Sequence, residues 1–340
     1  MQKKKIRIGV AGLGRLGITH AENIVFKVKD AELSALCDVD PNNLTMAENH
    51  LGVKNCFSSF SKMLDHNELD AIAIVSPSKF HCEQIRQSLE AGFHVFCEKP
   101  LGTRLEESLL AKEAVNNHPD KVFMLGFMRR FDASYQYAKQ KIDEGEIGQP
   151  ILFRSYSVDP ESSIKSIIPY IPKSAGQFVD MAVHDIDLAR WMLKSEPKSI
   201  FAIGGCYAHP EFGEYGDGDN VGALMQFKNN AMAFFYAGRT APHGYNVETE
   251  IIGTESTLRI GSVPQKNLVE IIGKDGIRRE CSQSFHERFS DAFINEMQEF
   301  VDCILENRKP EVSVDDGVES SRIAELATKS FQTNDLIKLI

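Results

Sequence analysis

The 340-residue sequence is poor in tryptophan, has no closely spaced cysteine pair and contains no long apolar run. Its seven cysteines form no C-x-x-C motif and no compact Cys/His group, so we predict no metal site. An odd number of cysteines without a paired framework favours a reducing, cytoplasmic location. No run is long enough to span a bilayer. The short apolar run near the N-terminus leads directly into glycines and does not resemble a secretory signal.

Positive charge is also in deficit, because 38 Lys and Arg residues are outnumbered by 48 Asp and Glu residues, which gives a formal net charge of −10. A protein that binds the phosphate backbone of nucleic acid needs a concentrated basic surface. We therefore expect neither nucleic acid nor a membrane as a partner. The length suggests two domains, with enough apolar residues to form their cores.

In the first third of the chain, short apolar runs alternate with helical stretches of crossover length, which is typical of a parallel sheet. The runs are IRIGVA, ELSALC, DAIAIV, HVFCEK and KVFMLG. From about residue 198 onward, strand-like segments such as VGALMQFK and MAFFYAGRT are joined by short turns, which favours antiparallel pairing. Two helical stretches close the chain. The sequence thus predicts an α/β fold with a parallel sheet followed by a mostly antiparallel one.

The run GVAGLGRLG contains the pattern G-x-G-x-x-G directly after a predicted strand and at the start of a predicted helix. Glycines at these positions let the backbone turn tightly and approach a pyrophosphate, whose charge the helix N-terminus binds. The alternative is an ordinary glycine-rich turn. The candidate dinucleotide-binding residues of this loop are Gly12, Leu13, Gly14, Arg15, Leu16 and Gly17.

Further candidate cofactor contacts follow the next predicted strands. Asp38 ends the second strand, where a carboxylate binds the ribose hydroxyls of NAD and repels the 2′-phosphate of NADP. Asp40 could take over that role, and Asp38 could instead be a turn residue. Ser76 and Pro77 end another strand at the carboxyl edge of the sheet, where ligands of such sheets bind. Together these residues favour NAD as the cofactor.

The segment HVFCEKPLG places Glu98 and Lys99 at the end of a strand, directly before Pro100. The residue before a proline is held extended, and the Lys99–Pro100 bond could be cis. An ammonium group held there can bind a substrate oxygen and stabilise developing negative charge. The alternative is a solvated lysine at a strand end. Glu98 is a candidate cofactor contact at the same edge.

The mostly apolar segment QFVDMAVHDIDLARW contains three polar residues with helical spacing. Asp180, His184 and Asp187 are four and then three residues apart, which places them on one face of an α-helix. Most of the other positions are apolar, which predicts a packed helix whose polar groups need partners. From these residues alone, Asp180 and His184 can simply pair with each other in a partly solvated stripe.

Taken together, AGLGRLG, CEKPLG, GFMRRFD and VDMAVHDID resemble the Gfo/Idh/MocA family of nicotinamide-dependent sugar and polyol dehydrogenases. The resemblance extends over nearly the whole chain. GFMRRFD, with SVDP and GRTAPHGYNVETEIIG, is more similar to the inositol 2-dehydrogenases of that family. Within these, SYSVDP and HGYNVETEIIGTES resemble members that act on scyllo-inositol more than those that act on myo-inositol.

The resemblance implies a Rossmann NAD-binding domain over residues 1–126. It implies a second α/β domain over residues 127–340, with a large open, mostly antiparallel sheet, that binds substrate and forms a homotetramer. The implied activity is NAD-dependent oxidation of inositol in inositol catabolism. Lys99, Asp180 and His184 match the family's catalytic positions. The positions that match polyol contacts are Arg129, Asp159, Asp187, His243 and Tyr245.

The implied roles follow from the residue types. His184 would remove the hydroxyl proton, Lys99 would stabilise the developing alkoxide, and Asp180 would orient the imidazole or bind the adjacent hydroxyl. The sequence departs from the family pattern in two places. Ala175-Gly176 replaces a frequent Gly-Gly pair, and His243 stands where an aromatic residue is expected, which leaves the substrate orientation open.

Several alternatives remain at this point. The substrate could be another cyclitol or an aldose, or the protein could be a non-catalytic NAD or sugar sensor. Arg129 or its neighbour Arg130 could pair with a helix, and Asp159 could be a turn residue before Pro160. His243 could be a loop residue without a ligand, and Tyr245 a packed strand aromatic.

Overall fold

The computed structural model describes residues 5–66, 68–261 and 265–339, so residues 1–4, 67, 262–264 and 340 of the predicted domains lie outside the described residues. The chain forms two compact units. The first contains residues up to Phe131 together with Asp291–Ser321, and the second contains Asp132–Ser290 and the residues from Arg322 onward. The predicted division into residues 1–126 and 127–340 is corrected accordingly, because 127–131 and 291–321 belong to the first unit.

A six-stranded sheet forms the centre of the first unit, with the strand order β3-β2-β1-β4-β5-β6. The strands are β1 (Ile6–Ala11), β2 (Ala31–Cys37), β3 (Cys56–Phe57), β4 (Ala71–Ile74), β5 (His94–Glu98) and β6 (Phe123–Gly126). All neighbouring pairs are parallel, which confirms the predicted Rossmann-type sheet. The order reverses between β1 and β4, the point at which such sheets bind ligands.

Helices connect these strands as crossovers. They are α1 (Arg15–Phe26), α2 (Pro41–Leu51), α3 (Phe60–Leu64), α4 (His81–Glu90) and α5 (Leu105–Asn116). Strand β4 is buried at every position, as expected for a parallel strand covered on both faces. The carboxyl ends of the strands therefore form one edge, and the predicted cofactor residues of this unit follow that edge.

The second unit contains a seven-stranded sheet in the order β12-β11-β7-β10-β9-β8-β15. Its pairs are antiparallel except for β7 with β10, which confirms the predicted mostly antiparallel sheet. A separate hairpin consists of β13 and β14. The strands are β7 (Pro150–Pro160), β8 (Pro197–Gly205), β9 (Asn220–Phe227), β10 (Met232–Ala241), β11 (Asn246–Gly253), β12 (Thr257–Ile260), β13 (Gln265–Gly273), β14 (Gly276–Cys281) and β15 (Ile337–Lys338).

The helices of the second half are α6 (Ala133–Asp143), α7 (Ile164–Ile167), α8 (Val183–Leu193), α9 (Phe285–Glu306) and α10 (Val314–Thr333). Helix α9 is kinked at Phe289, where φ is −119° and ψ is 21°. Beyond the kink, Phe293 contacts His20 edge-on at 5.7 Å between ring centroids, and Phe300 lies 5.9 Å from Phe96. These buried aromatic contacts join this part of α9 to the core of the first unit. No helix of the described residues, including the long helices α9 and α10, is both long and apolar enough to cross a bilayer.

A residue other than glycine, Ala175, occupies a left-handed backbone position just before the predicted catalytic helix. Ala175 has φ +60° and Gly176 has φ +92°, and only glycine adopts this region without steric cost. We expect Ala175→Gly to raise the unfolding free energy by about 0.5–1 kcal/mol, because relief of the clash outweighs the extra chain entropy. Urea unfolding would measure the change. An equal or lower unfolding free energy in the variant would contradict the expectation.

Candidate active site

The glycine loop joins β1 to α1 by close backbone packing. Gly12 has φ +92°, and a Cβ atom there would lie 2.6 Å from the backbone nitrogen of Ser76. A Cβ atom on Gly17 would lie 1.9 Å from the carbonyl oxygen of Gly12. Gly14 caps α1, and a Cβ atom there would meet no described atom within 4 Å. Two glycines thus bring the helix and strands together, and the third leaves the helix N-terminus open to an anion.

The rest of this loop differs in exposure. Leu13 is buried, Leu16 is half-buried and Arg15 is exposed. Leu13 therefore anchors the loop in the core. The arrangement is the backbone geometry expected of a dinucleotide-binding loop.

Asp38 lies beside the glycine loop and Asp40 does not share its position. The Asp38 carboxylate accepts hydrogen bonds from the backbone N–H of Leu13 at 2.6 Å and of Asp40 at 2.8 Å. The Asp40 carboxylate accepts from the N–H of Asn42 at 2.9 Å and caps α2. Asp40 is thus used in starting a helix, whereas Asp38 is joined to the loop that would hold the pyrophosphate.

His81 joins the ends of two parallel strands. Its ring nitrogens lie 2.8 Å from the carbonyl oxygen of Pro100 and 2.8 Å from that of Ser76. Burial lowers the pKa of His81, although the two carbonyl groups act in the opposite direction. The Ser76 hydroxyl donates to Gln84 at 2.5 Å. Ser76 and Pro100 are therefore held by one buried imidazole at the edge where β4 and β5 end.

Glu98 and Lys99 occupy the end of β5, and the Lys99–Pro100 bond is cis, as the sequence allowed. Glu98 is only 5% exposed. One of its oxygens lies 2.7 Å from Nε2 of His20, and the other accepts the Lys99 backbone N–H at 3.1 Å. The carboxylate predicted as a cofactor contact is thus directed into its own unit. Its cluster with His20 and Glu296, which the sequence did not indicate, is the one group of possible metal-binding side chains found among the described residues.

The neighbouring arginines Arg129 and Arg130 are 2% and 3% exposed. Arg130 donates to Asp316 at 2.9 Å. Burial opposes ionisation of Asp316, but the Arg130 charge and hydrogen bonds from Ser313 outweigh it and lower the pKa of the carboxyl group. Arg130 therefore forms an ion pair with helix α10. The sequence had allowed such an ion pair for either arginine.

In the second unit, Asp180 does not lie on a regular α-helix. A π-helical turn over Phe178–Ala182 precedes α8, so the predicted single α-helix is wrong for the first part of the segment. Such turns follow an i→i+5 hydrogen-bond pattern and are frequent at functional sites. His184 and Asp187 lie on α8 and are 6% and 1% exposed. The polar positions of the segment therefore begin in an irregular turn and continue on a buried helix.

Arg239 brings two predicted site residues together. It donates to Asp180 at 2.5 Å, to Asp159, and to the side chain of Gln177 at 3.0 Å. Burial opposes its charge, but Asp180 and Asp159 outweigh it and raise the pKa of the guanidinium. The sequence motifs do not indicate Arg239, and the only signal for it is its position near the end of the apolar strand β10.

Asp185, which the sequence analysis also passed over, is fully buried. It accepts hydrogen bonds from the hydroxyl groups of Ser155 and Ser157, the latter at 2.7 Å. Ser155 and Ser157 alternate along β7 and so point to the same face of the sheet. These bonds attach α8, which carries His184, to the central part of the second sheet.

His243 and Tyr245 lie between β10 and β11, in different environments. His243 is exposed, and its carbonyl oxygen accepts a hydrogen bond from Gln283 at 3.3 Å. Tyr245 is 4% exposed, and its ring packs edge-on against Phe285 at 6.5 Å and Phe289 at 6.3 Å. The ring of Tyr245 therefore belongs to an aromatic cluster.

Comparison with protein families gives two matches along the chain. Residues 6–127 match the GFO/IDH/MocA oxidoreductase family model, described as an NAD-binding Rossmann fold. Residues 135–259 match the GFO/IDH/MocA C-terminal domain. The two matches together cover most of the chain and agree with the two observed sheets.

Curated relatives and solved structures extend the likeness over nearly the full length. The scyllo-inositol 2-dehydrogenase (NAD(+)) of Bacillus subtilis (strain 168) is 33% identical over 98% of this chain and 96% of the relative. The crystal structure of scyllo-inositol dehydrogenase from Lactobacillus casei with bound NAD(H) and scyllo-inositol is 45% identical, with a TM-score of 0.95, over 98% of this chain and 99% of that chain. Myo-inositol 2-dehydrogenase from Lactobacillus plantarum is 38% identical, with a TM-score of 0.97, over 99% and 100% of the two chains.

Proposed function

Because this chain belongs to the Gfo/Idh/MocA oxidoreductase family, we propose that it oxidises an inositol to a keto-inositol with NAD as the hydride acceptor. The observation that carries the proposal is the solved relative with NAD(H) and scyllo-inositol, which is 45% identical over 98% of this chain. The glycine loop supports it, since an open helix N-terminus and a neighbouring carboxylate are what a dinucleotide requires.

We propose scyllo-inositol as the preferred substrate, because identity to the scyllo-inositol enzyme exceeds identity to the myo-inositol enzyme, 45% against 38%. Initial rates of NADH formation with scyllo-inositol, myo-inositol and glucose would test this. We expect kcat/KM to be highest for scyllo-inositol and lowest for glucose. No NADH from either inositol would overturn the proposed function, and a preference for myo-inositol would overturn only the choice of isomer.

The proposed catalytic residues are Lys99, Asp180 and His184. NAD bound at the glycine loop supplies the hydride acceptor. His184 accepts the proton of the reacting hydroxyl group as a general base. Lys99 donates a hydrogen bond to the same oxygen and stabilises its developing negative charge. Asp180, held through Arg239 at 2.5 Å, binds the adjacent hydroxyl group or orients the imidazole.

We propose five further residues as polyol contacts. A polyol needs donors and acceptors of both signs, because each buried hydroxyl left unpaired costs affinity. Asp159 and Asp187 would accept from hydroxyl groups, and Arg129 would donate. His243 and Tyr245 would contribute through the loop before β11.

NAD preference is proposed to depend on Asp38, whose carboxylate accepts the Leu13 N–H at 2.6 Å. Replacement by alanine removes the charge that would repel a 2′-phosphate. We expect Asp38→Ala to raise the NADP/NAD ratio of kcat/KM by about tenfold or more, equivalent to about 1.4 kcal/mol. Asp40→Ala is the matched control, since that carboxylate caps α2. A larger shift in the control would transfer the role to Asp40.

We propose that the protein forms a homo-oligomer, with a tetramer as the predicted state. Apolar side chains on the second sheet support this, since Ile203 is 59% and Leu224 is 54% exposed. The β13–β14 hairpin adds Leu268 at 95% and Ile272 at 77%. Exposed apolar groups of this kind mark association surfaces. A monomeric mass in sedimentation equilibrium would refute self-association. Cytoplasmic location and a role in inositol catabolism remain predictions.

A further inference from the structure

Three buried titratable side chains meet inside the first unit. They are His20 on α1, Glu98 at the end of β5 and Glu296 on α9, and their ligand atoms all lie within 4.8 Å of one another. His20 and Glu296 have no exposed surface. The proposed mechanism assigns neither of them a role. Because burying such groups is costly, their burial around Glu98, the residue directly before Lys99, requires a reason.

The hydrogen bonds indicate the tautomer of His20. Its Nε2 lies 2.7 Å from Glu98, whereas its Nδ1 has no hydrogen-bond partner among the described residues. A bare nitrogen lone pair without a partner costs less than a buried N–H without one. The tautomer with the hydrogen on Nε2 therefore fits the surroundings, and His20 donates to the Glu98 carboxylate.

Glu296 completes the cluster as a neutral group. Neither of its carboxyl oxygens has a hydrogen-bond partner among the described residues. Desolvation, and then the charge of Glu98, raise the pKa of Glu296 well above its usual value. Glu296 therefore keeps its proton, and the cluster avoids two buried negative charges side by side.

We propose that His20 is a positioning residue for Lys99 and acts through Glu98. His20 donates to one Glu98 oxygen, and the Lys99 backbone N–H donates to the other at 3.1 Å. The carboxylate is thus held at both oxygens and fixes the backbone from which the ammonium group extends. Helix α1 starts at the glycine loop, so the element that would bind NAD also orients the catalytic lysine. This inference rests on the proposed function of Lys99.

The test compares His20→Leu, His20→Asn and His20→Gln, each alone and with Lys99→Ala, in single turnovers of NADH formation from scyllo-inositol. The Gln amide nitrogen can take the place of Nε2, whereas the shorter Asn cannot reach Glu98. We expect Leu and Asn to lower the hydride-transfer rate by about 10- to 100-fold, because small misplacements of catalytic groups have effects of this size. Gln should restore most of the rate, and the Kd for NAD from calorimetry should change less than about threefold.

In the Lys99→Ala background, we expect His20→Leu and His20→Asn to add little, because residues that act through one another are not additive. Equal losses in both backgrounds, or no rescue by Gln, would overturn the positioning role. His50→Leu is the matched control, since it breaks an exposed His–Glu pair of 2.8 Å and should leave the rate unchanged. Full activity of Lys99→Ala would refute the proposed function of Lys99. A stoichiometric divalent cation in the purified protein, absent from Glu296→Gln, would instead identify the cluster as a metal site.

Discussion

Lys99→Ala is expected to lower kcat for inositol oxidation by about 100- to 1,000-fold, because loss of one donor to a developing oxyanion has an effect of that size. In the proposed mechanism, the ammonium group acts on the substrate oxygen as charge develops. Its removal should therefore affect kcat more than the Kd for NAD, which we expect to change less than about threefold. Steady-state rates with scyllo-inositol and calorimetric titration with NAD would measure the two effects separately.

Two further variants test whether the loss of kcat is due to the charge of Lys99 and to its position. Lys99→Met keeps the length of the side chain without its charge and should be as inactive as the alanine variant. Lys79 lies in the turn Ser78–Phe80 between β4 and α4 and is exposed. Lys79→Ala is therefore expected to keep kcat within about twofold of wild type. More than a tenth of the wild-type kcat in Lys99→Ala would show that another group stabilises the alkoxide.

Glu296→Gln is expected to make the protein progressively more stable than wild type as the pH rises above the usual glutamate value of about 4.5. Desolvation and the Glu98 charge raise the pKa of Glu296 in the folded state. The folded protein then holds a proton that the unfolded chain releases. Its contribution to stability is complete below the unfolded pKa and is lost as the pH rises. Glutamine is neutral in both the folded and the unfolded state, so the variant does not lose this stability as the pH rises.

The size of this effect follows from the protonation equilibrium. The unfolding free energies of wild type and variant should diverge by about 1.4 kcal/mol per pH unit over the range above the unfolded pKa in which Glu296 keeps its proton. Urea unfolding at several pH values would measure this divergence. Glu106→Gln, which removes an exposed carboxylate on another helix, is the matched control variant. A difference between wild type and Glu296→Gln that does not change with pH would mean that the Glu296 carboxyl group ionises in the folded protein.

The sequence predicted both sheets because their strands carry local signals. The apolar runs of β1, β2, β4, β5 and β6 and the turns of the later strands required no knowledge of distant contacts. The position of α9 could not be predicted in this way. Phe293 and Phe300 mark an apolar helix face, but their spacing does not say which of two cores that face covers. Membership of 291–321 in the first unit depends on contacts with residues such as Phe96.

The site shows the same limit. Lys99 and the glycine loop could be proposed from the sequence because each lies in a short contiguous motif. Arg239 was missed because its partners Asp180 and Asp159 are 59 and 80 residues away, and His20 because Glu98 is 78 residues away. The π-helical turn at Asp180 was also missed, since a helical apolar pattern does not distinguish it from an α-helix. Pairing of buried charges is a property of the folded chain rather than of any local segment.

The discontinuous first unit has a consequence for how the protein is made. A nascent chain that has reached Phe131 contains every strand of the parallel sheet and the glycine loop, but Phe293, Glu296 and Phe300 have not yet been synthesised. The second unit is almost entirely translated before them. The core around His20 and Phe96 therefore stays open on the ribosome for about 160 further residues. A gene fragment that ends at Phe131 would encode an incomplete domain.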